Sequence, residues 1–103
     1  MMNNFVALED ENILVLKGAV NADNVMAIRK EGEDIISKLS TGGVIDLFAV
    51  SSAGAVTLSL LLAWLRAAKS RNVSLVVRRM PDRLFDMARV SGLELVLPFE
   101  SSS

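Results

Sequence analysis

The sequence predicts an α/β fold: a mixed, mostly parallel β-sheet with about three crossover helices. Two observations carry this. Short runs of β-branched and large apolar residues alternate along the chain with segments whose apolar residues recur at helical spacing, the pattern of strands joined by crossover helices. Nineteen consecutive uncharged residues, Leu47 to Leu65, also contain a strand-like run, a small polar stretch and a helix-like run. As one helix this segment would almost reach the roughly 20 apolar residues that span a bilayer. Division at Ser51–Gly54, which suits a turn, instead makes it two elements of a globular domain.

Phe5, Val6 and Leu8 predict a first strand, and the polar turn Glu9 to Asn12 leads into a second over Ile13 to Leu16, so the two form a hairpin. After Gly18, Asn21 is placed to cap a helix whose apolar positions are Val25, Ile28, Ile35, Ile36 and Leu39, with Gly42 and Gly43 expected to end it. A buried strand over Val44 to Phe48, the Ser51–Gly54 loop, a helix over Ala55 to Ser70 and a strand over Val73 to Val77 follow. Pro81 suits the first turn of a third helix, where its missing N–H has no partner to lose; Leu84, Met87 and Ala88 form its apolar face and Gly92 closes it. Leu95 to Leu97 are expected to form a last short strand, and Ser101 to Ser103 a disordered tail after a single domain over residues 1–100.

Composition narrows the chemistry. At 103 residues with 51% apolar and 22% charged residues, one core is expected. A net charge of -1 leaves no footprint for nucleic acid, and Arg78, Arg79, Arg83 and Arg89 are expected to form a solvated rim. The chain has neither cysteine nor histidine, which removes thiolate chemistry, the commonest general base and the main zinc ligands. No signal peptide or direct membrane insertion is expected, and the cytoplasm is the default location.

The element order, the strand VIDLFAV with its Asp-Leu pair, the small-residue loop before an apolar helix and the closing segment MARVSGLELVLPF resemble the STAS family over nearly the whole chain. This domain is shared by sulfate transporters and bacterial anti-sigma factor antagonists. The helix LSLLLAWLRAAKSR is most similar to the small STAS subunit of the Mla (toluene-tolerance) phospholipid transporter. That resemblance implies a subunit that catalyses nothing, has no cofactor or metal, and binds the cytoplasmic ATPase of an ABC transporter, and through it a permease, peripheral to the inner membrane. The family's loop usually presents Asp followed by Ser or Thr, the hydroxyl being a phosphorylation site in the antagonists. Ungapped alignment places Gly54 and Ala55 there, and neither can accept phosphate; Ser51 and Ser52 lie just before and Thr57 just after as alternative acceptors.

Projected at about 100° per residue, the second helix carries Leu58, Leu61, Leu62 and Leu65 on one stripe, ending at Lys69, and Val56, Leu60, Ala63 and Ala67 on the opposite one with Trp64 beside it. A helix on one sheet face needs only one apolar face, so the other must meet a neighbouring helix or a partner. The expected partner surface is Ser52, Ala53, Gly54, Ala55, Val56, Leu60, Ala63 and Trp64, and a homodimer through the same stripe is the alternative for the isolated chain. Asp46 is expected either to act as a functional carboxylate at a strand end or to hydrogen-bond the next loop. Glu9 to Glu11 read as a solvated turn, the helix start at Ser52–Ala55 as a weak anion site, and Met80 and Met87 as core filler. No nucleotide-binding glycine motif is present.

Overall fold

The computed structural model describes residues 5–100, so the expected Ser101–Ser103 tail lies outside the described residues. The elements follow in the order β1 (Val6–Glu9), β2 (Ile13–Gly18), α1 (Val25–Ile36), β3 (Gly42–Val50), α2 (Ala55–Ser70), β4 (Ser74–Arg78) and α3 (Asp82–Val90). They form a four-stranded sheet in the order β1-β2-β3-β4. The hairpin pair β1–β2 is antiparallel, whereas β2–β3 and β3–β4 are parallel, as strands joined through α1 and α2 must be.

The hairpin turns through Asp10 and Glu11, both in the left-handed region, φ 48° and 69°. Register places Leu14, Ile45 and Val77 side by side on one face, and these join Ile28 and Ile36 of α1, Leu58, Leu61 and Trp64 of α2 and Leu84 of α3 in one core. The opposite face carries Ile13, Val15, Val44, Asp46, Val76 and Arg78; its apolar members stand outside that core.

Three expectations need correction. First, α1 ends at Ile36, and Gly42 and Gly43 open β3 rather than stopping the helix. A Cβ on Gly43 would lie 2.7 Å from the Asn12 carbonyl oxygen, so glycine is there for close backbone approach. Asn21 acts one turn before the helix, its Oδ1 accepting from the Asp23 and Asn24 N–H groups at 2.8 and 3.0 Å. Second, Leu95 to Leu97 form no strand; the chain turns there, and the fifth strand shrinks to one parallel bridge, Val77 to Phe99. Third, the expected outer stripe of α2 is interior: Leu60 is 1% exposed, Ala63 4% and Trp64 0%. Helix α1 covers this side, because Gly32 has no side chain to keep the Trp64 indole away and the Arg29 carbonyl accepts its Nε1–H at 3.1 Å.

Gly92 ends α3 as expected, at φ 75°, with the Leu93 N–H donating to the Ala88 carbonyl at 2.8 Å. Asn72, at φ 59°, does the same for α2, where the Val73 N–H reaches the Ala68 carbonyl at 2.9 Å. Among the described residues no helix is long and apolar enough to cross a membrane.

Candidate functional site

The loop from Ser51 to Gly54 leaves the carboxyl end of β3 and enters α2, at the end of a parallel sheet where α/β folds commonly place their sites. Its base is fixed. The Ser51 N–H donates to the Gly18 carbonyl at 2.9 Å, and Ser52 Oγ accepts the Val20 N–H at 2.9 Å while sharing a 2.8 Å hydrogen bond with Thr57 Oγ1. Ser52 thus ties the segment after β2 to the first turn of α2. Thr57 is fully buried and Ser52 half-buried, so of the expected acceptor hydroxyls only Ser51 faces solvent.

The tip of the loop is open. Gly54 and Ala55 are exposed, and a Cβ built on Gly54 meets nothing within 4 Å. Gly54 has an extended backbone, φ -97° and ψ 179°, that any residue adopts. Neither packing nor backbone conformation within this chain therefore requires glycine there, and its smallness leaves room for an approaching surface.

Beside the loop stands the start of α3, capped by Pro81. A shallow cleft of about 240 Å³ runs between Ser51, Ser52 and Ala53 on one side and Pro81, Asp82 and Arg83 on the other. A second hollow joins Ala53 to Arg83, Asp86, Met87 and Val90, and Val90 is 83% exposed. Of the expected contact residues, Ser52, Ala53, Gly54, Ala55 and Val56 lie at this end of the molecule, whereas Leu60, Ala63 and Trp64 belong to the core. Arg83, exposed as expected of a rim, and Met87, packed against the core as expected, join Val90 in lining this hollow, and none of the three is among the expected contact residues. The available signal was Val90 itself, an apolar residue outside the Leu84, Met87, Ala88 face.

The arginine cluster is largely neutralised by its own carboxylates. Asp46 is 1% exposed and accepts from Arg78 Nε at 2.9 Å, from Arg79 Nε at 3.1 Å and from the Phe48 N–H at 3.1 Å, with a further contact from Arg79 Nη2. The Arg79 guanidinium also lies 4.6 Å above the Phe48 ring. Burial pushes the Asp46 carboxyl up, but the hydrogen bonds from Arg79, the Phe48 amide and Arg78 outweigh it and hold the group below the usual carboxylate range. The Asp46 hydrogen bond holds Arg79 above its ordinary value. Asp46 therefore sits inside β3 as the anchor of two arginines, contrary to the expected bond to the next loop. Arg89 pairs with Asp86 at 3.2 Å, which leaves Arg83 as the one arginine of the cluster without an ion pair among the described residues. Also among the described residues, no group of three or more acidic, cysteine or histidine side chains is placed to hold a metal ion.

The fold is similar to those of several solved structures. A candidate anti-sigma factor antagonist from Thermotoga maritima superposes with a TM-score of 0.74 at 14% identity, over 94% of this chain and 85% of that one. An anti-sigma factor antagonist from Mycobacterium paratuberculosis gives 0.69 at 22% identity, over 94% and 83%. The antagonist SpoIIAA in its unphosphorylated form gives 0.69 at 15% identity, over 94% and 87%. At such identities the likeness is one of fold. No curated protein matches in sequence. A family model described as "Mlab, STAS domain" matches residues 4–98, nearly the whole chain, and the protein therefore belongs to the STAS domain family.

Proposed function

We propose that this chain is a non-enzymatic STAS subunit that docks on the cytoplasmic ATPase of a phospholipid ABC transporter and stabilises or activates it. The observation that carries the reading is the open loop tip Ala53-Gly54-Ala55, where nothing lies within 4 Å of a Cβ at Gly54. Close backbone approach there, with half-buried Val56 and Met87 and exposed Val90 beside it, suits a flat protein contact better than a small-molecule site. The hydroxyls of Ser52 and Thr57 are used inside the fold, so the loop is poorly equipped for a phosphate switch. Lipid need not touch this chain, because an accessory subunit acts on transport through the ATPase.

The test is an affinity pull-down of the tagged chain from its native cells. Recovery of an ABC ATPase with its permease is expected, and loss of both with Gly54→Arg or Val90→Asp, each folding with an unchanged melting temperature. Retention by both variants refutes the surface. A second reading, an anti-sigma factor antagonist switched by a kinase, draws on the fold of its structural neighbours and on solvent-facing Ser51. Recovery of a kinase-like anti-sigma factor, with stoichiometric phosphate on Ser51 by mass spectrometry, selects that reading instead.

A further inference from the structure

The turn that replaces the expected last strand leaves a gap at the edge of the sheet. Strand β4 is an edge strand. Val77 is covered there, its N–H donating to the Pro98 carbonyl and its carbonyl accepting from the Glu100 N–H, both at 2.8 Å. In a parallel ladder alternate residues of a strand turn their N–H and C=O to the same side, so Leu75 presents its backbone groups to this same outer edge. They have no hydrogen-bond partner among the described residues, because the chain turns through 94–97 and reaches the edge only at Pro98, already past Leu75.

What borders that open edge is an apolar groove of about 810 Å³, with Leu62 and Leu65 of α2, Leu75 and Val96 among its walls. Leu62 and Leu65 belong to the stripe of α2 that covers the sheet, but they lie at its margin and are half-buried. Leu95 and Val96 beside it are 93% and 63% exposed. Arg66 and Lys69 also line the groove, no acidic residue does, and neither cation forms an ion pair among the described residues. Leu62 to Asn72 place the groove along the carboxyl-terminal half of α2, so at 1.5 Å per residue it begins roughly 10 Å from the loop site at Ala55.

We propose that this groove receives an extended, acidic segment of a partner protein, added to the sheet as a further strand on the outer edge of β4. The three features select one occupant. Unpaired main-chain groups ask for another main chain, alternate apolar side chains of an added strand fit the Leu62, Leu65 and Val96 walls, and the cations ask for acidic residues on the segment. An acyl chain would fill the apolar walls but leave the Leu75 N–H and C=O without partners.

The test uses the full chain and a fluorescein-labelled peptide, Gly-Glu-Val-Glu-Val-Glu-Gly, followed by fluorescence anisotropy. Saturable binding is expected, weakened about tenfold when lysines replace the glutamates or when the protein carries both Arg66→Glu and Lys69→Glu. A peptide N-methylated at alternate backbone nitrogens should lose about tenfold or more, because its side chains and charge are kept while its strand hydrogen bonds are not. Exchange of the Leu75 amide proton, read by NMR, should slow on saturation. Absence of saturable binding, equal binding of the N-methylated peptide, or unchanged exchange at Leu75 overturns the proposal. So does dodecanoate binding at the Leu62 and Leu65 methyl groups in the absence of peptide binding, which would make the groove an amphiphile site. Val90→Asp should leave peptide binding unchanged, which separates this edge from the loop surface.

Discussion

Replacing Gly32 by alanine asks whether the Trp64 side of α2 is interior or a surface awaiting a partner. On an exposed helix the change stabilises by about 1 kcal/mol, because alanine is the better helix former. Here the new Cβ would stand 2.2, 2.3 and 2.4 Å from Cε2, Cζ2 and Nε1 of the Trp64 ring, so ring or helix must retreat by about 1 Å to restore ordinary contact. Overpacking of this kind costs about 1–3 kcal/mol. Displacing the ring also strains the Nε1–H hydrogen bond to the Arg29 carbonyl, worth about 1 kcal/mol. The penalties exceed the propensity gain, leaving a net loss of roughly 1–3 kcal/mol. For a domain of this size a loss of about 2 kcal/mol lowers Tm by roughly 8–16 °C. Thermal unfolding followed by circular dichroism measures the shift, and the emission of the single tryptophan reports whether the indole has moved. Adding Trp64→Leu should relieve the clash, so the two substitutions together should cost less than the sum of their separate effects. A Tm that rises with Gly32→Ala, with unshifted emission, would refute the placement of Trp64 against α1 and return the stripe to the surface.

Three further outcomes are expected. Leu60→Asp puts a charge at a position 1% exposed and should unfold the chain or lower Tm steeply, where a surface stripe would show improved solubility and unchanged stability. Asp46→Asn should destabilise by about 1.5–3 kcal/mol at neutral pH, by removing the charge that Arg78 and Arg79 share. Because the folded carboxyl titrates below its ordinary 3.8, the unfolded chain binds the proton more readily; the stabilisation is complete above about that pH and is lost as pH falls through the folded value. The variant should therefore lack this part of the wild-type acid limb in urea titrations at several pH values, and identical limbs would refute the assignment. Ser52→Ala should cost about 1–2 kcal/mol, since it leaves the Val20 N–H and the buried Thr57 hydroxyl without a partner. Adding Thr57→Val should then cost less than it does alone, and strict additivity would show that the two hydroxyls are not coupled.

The candidate site was legible where it is local in sequence and hidden where it is not. Ser51 to Gly54 stand out as small polar residues between two apolar runs, and the loop lies there. The contribution of α3 was hidden because Arg83 and Val90 come to the loop through the sheet, some 30 residues along the chain. The reach of Asp46 to Arg78 and Arg79 was hidden for the same reason: only the β3–β4 register places Arg78 opposite Asp46.

By itself the sequence determined the order of the seven described elements and the bounds of α2, Ala55 to Ser70, because hydrophobic period, turn residues and caps act over a few residues. It also established that α2 is apolar on more than one side. Which side is covered was decided only in three dimensions, by a glycine on α1 that admits an indole from α2 across a sequence separation of 32 residues. The last strand was decided there too. Leu95 to Leu97 have the composition of a strand, but strand formation depends on what a segment can pair with, and here the chain turns away and meets β4 only at Phe99, leaving the edge beside Leu75 open.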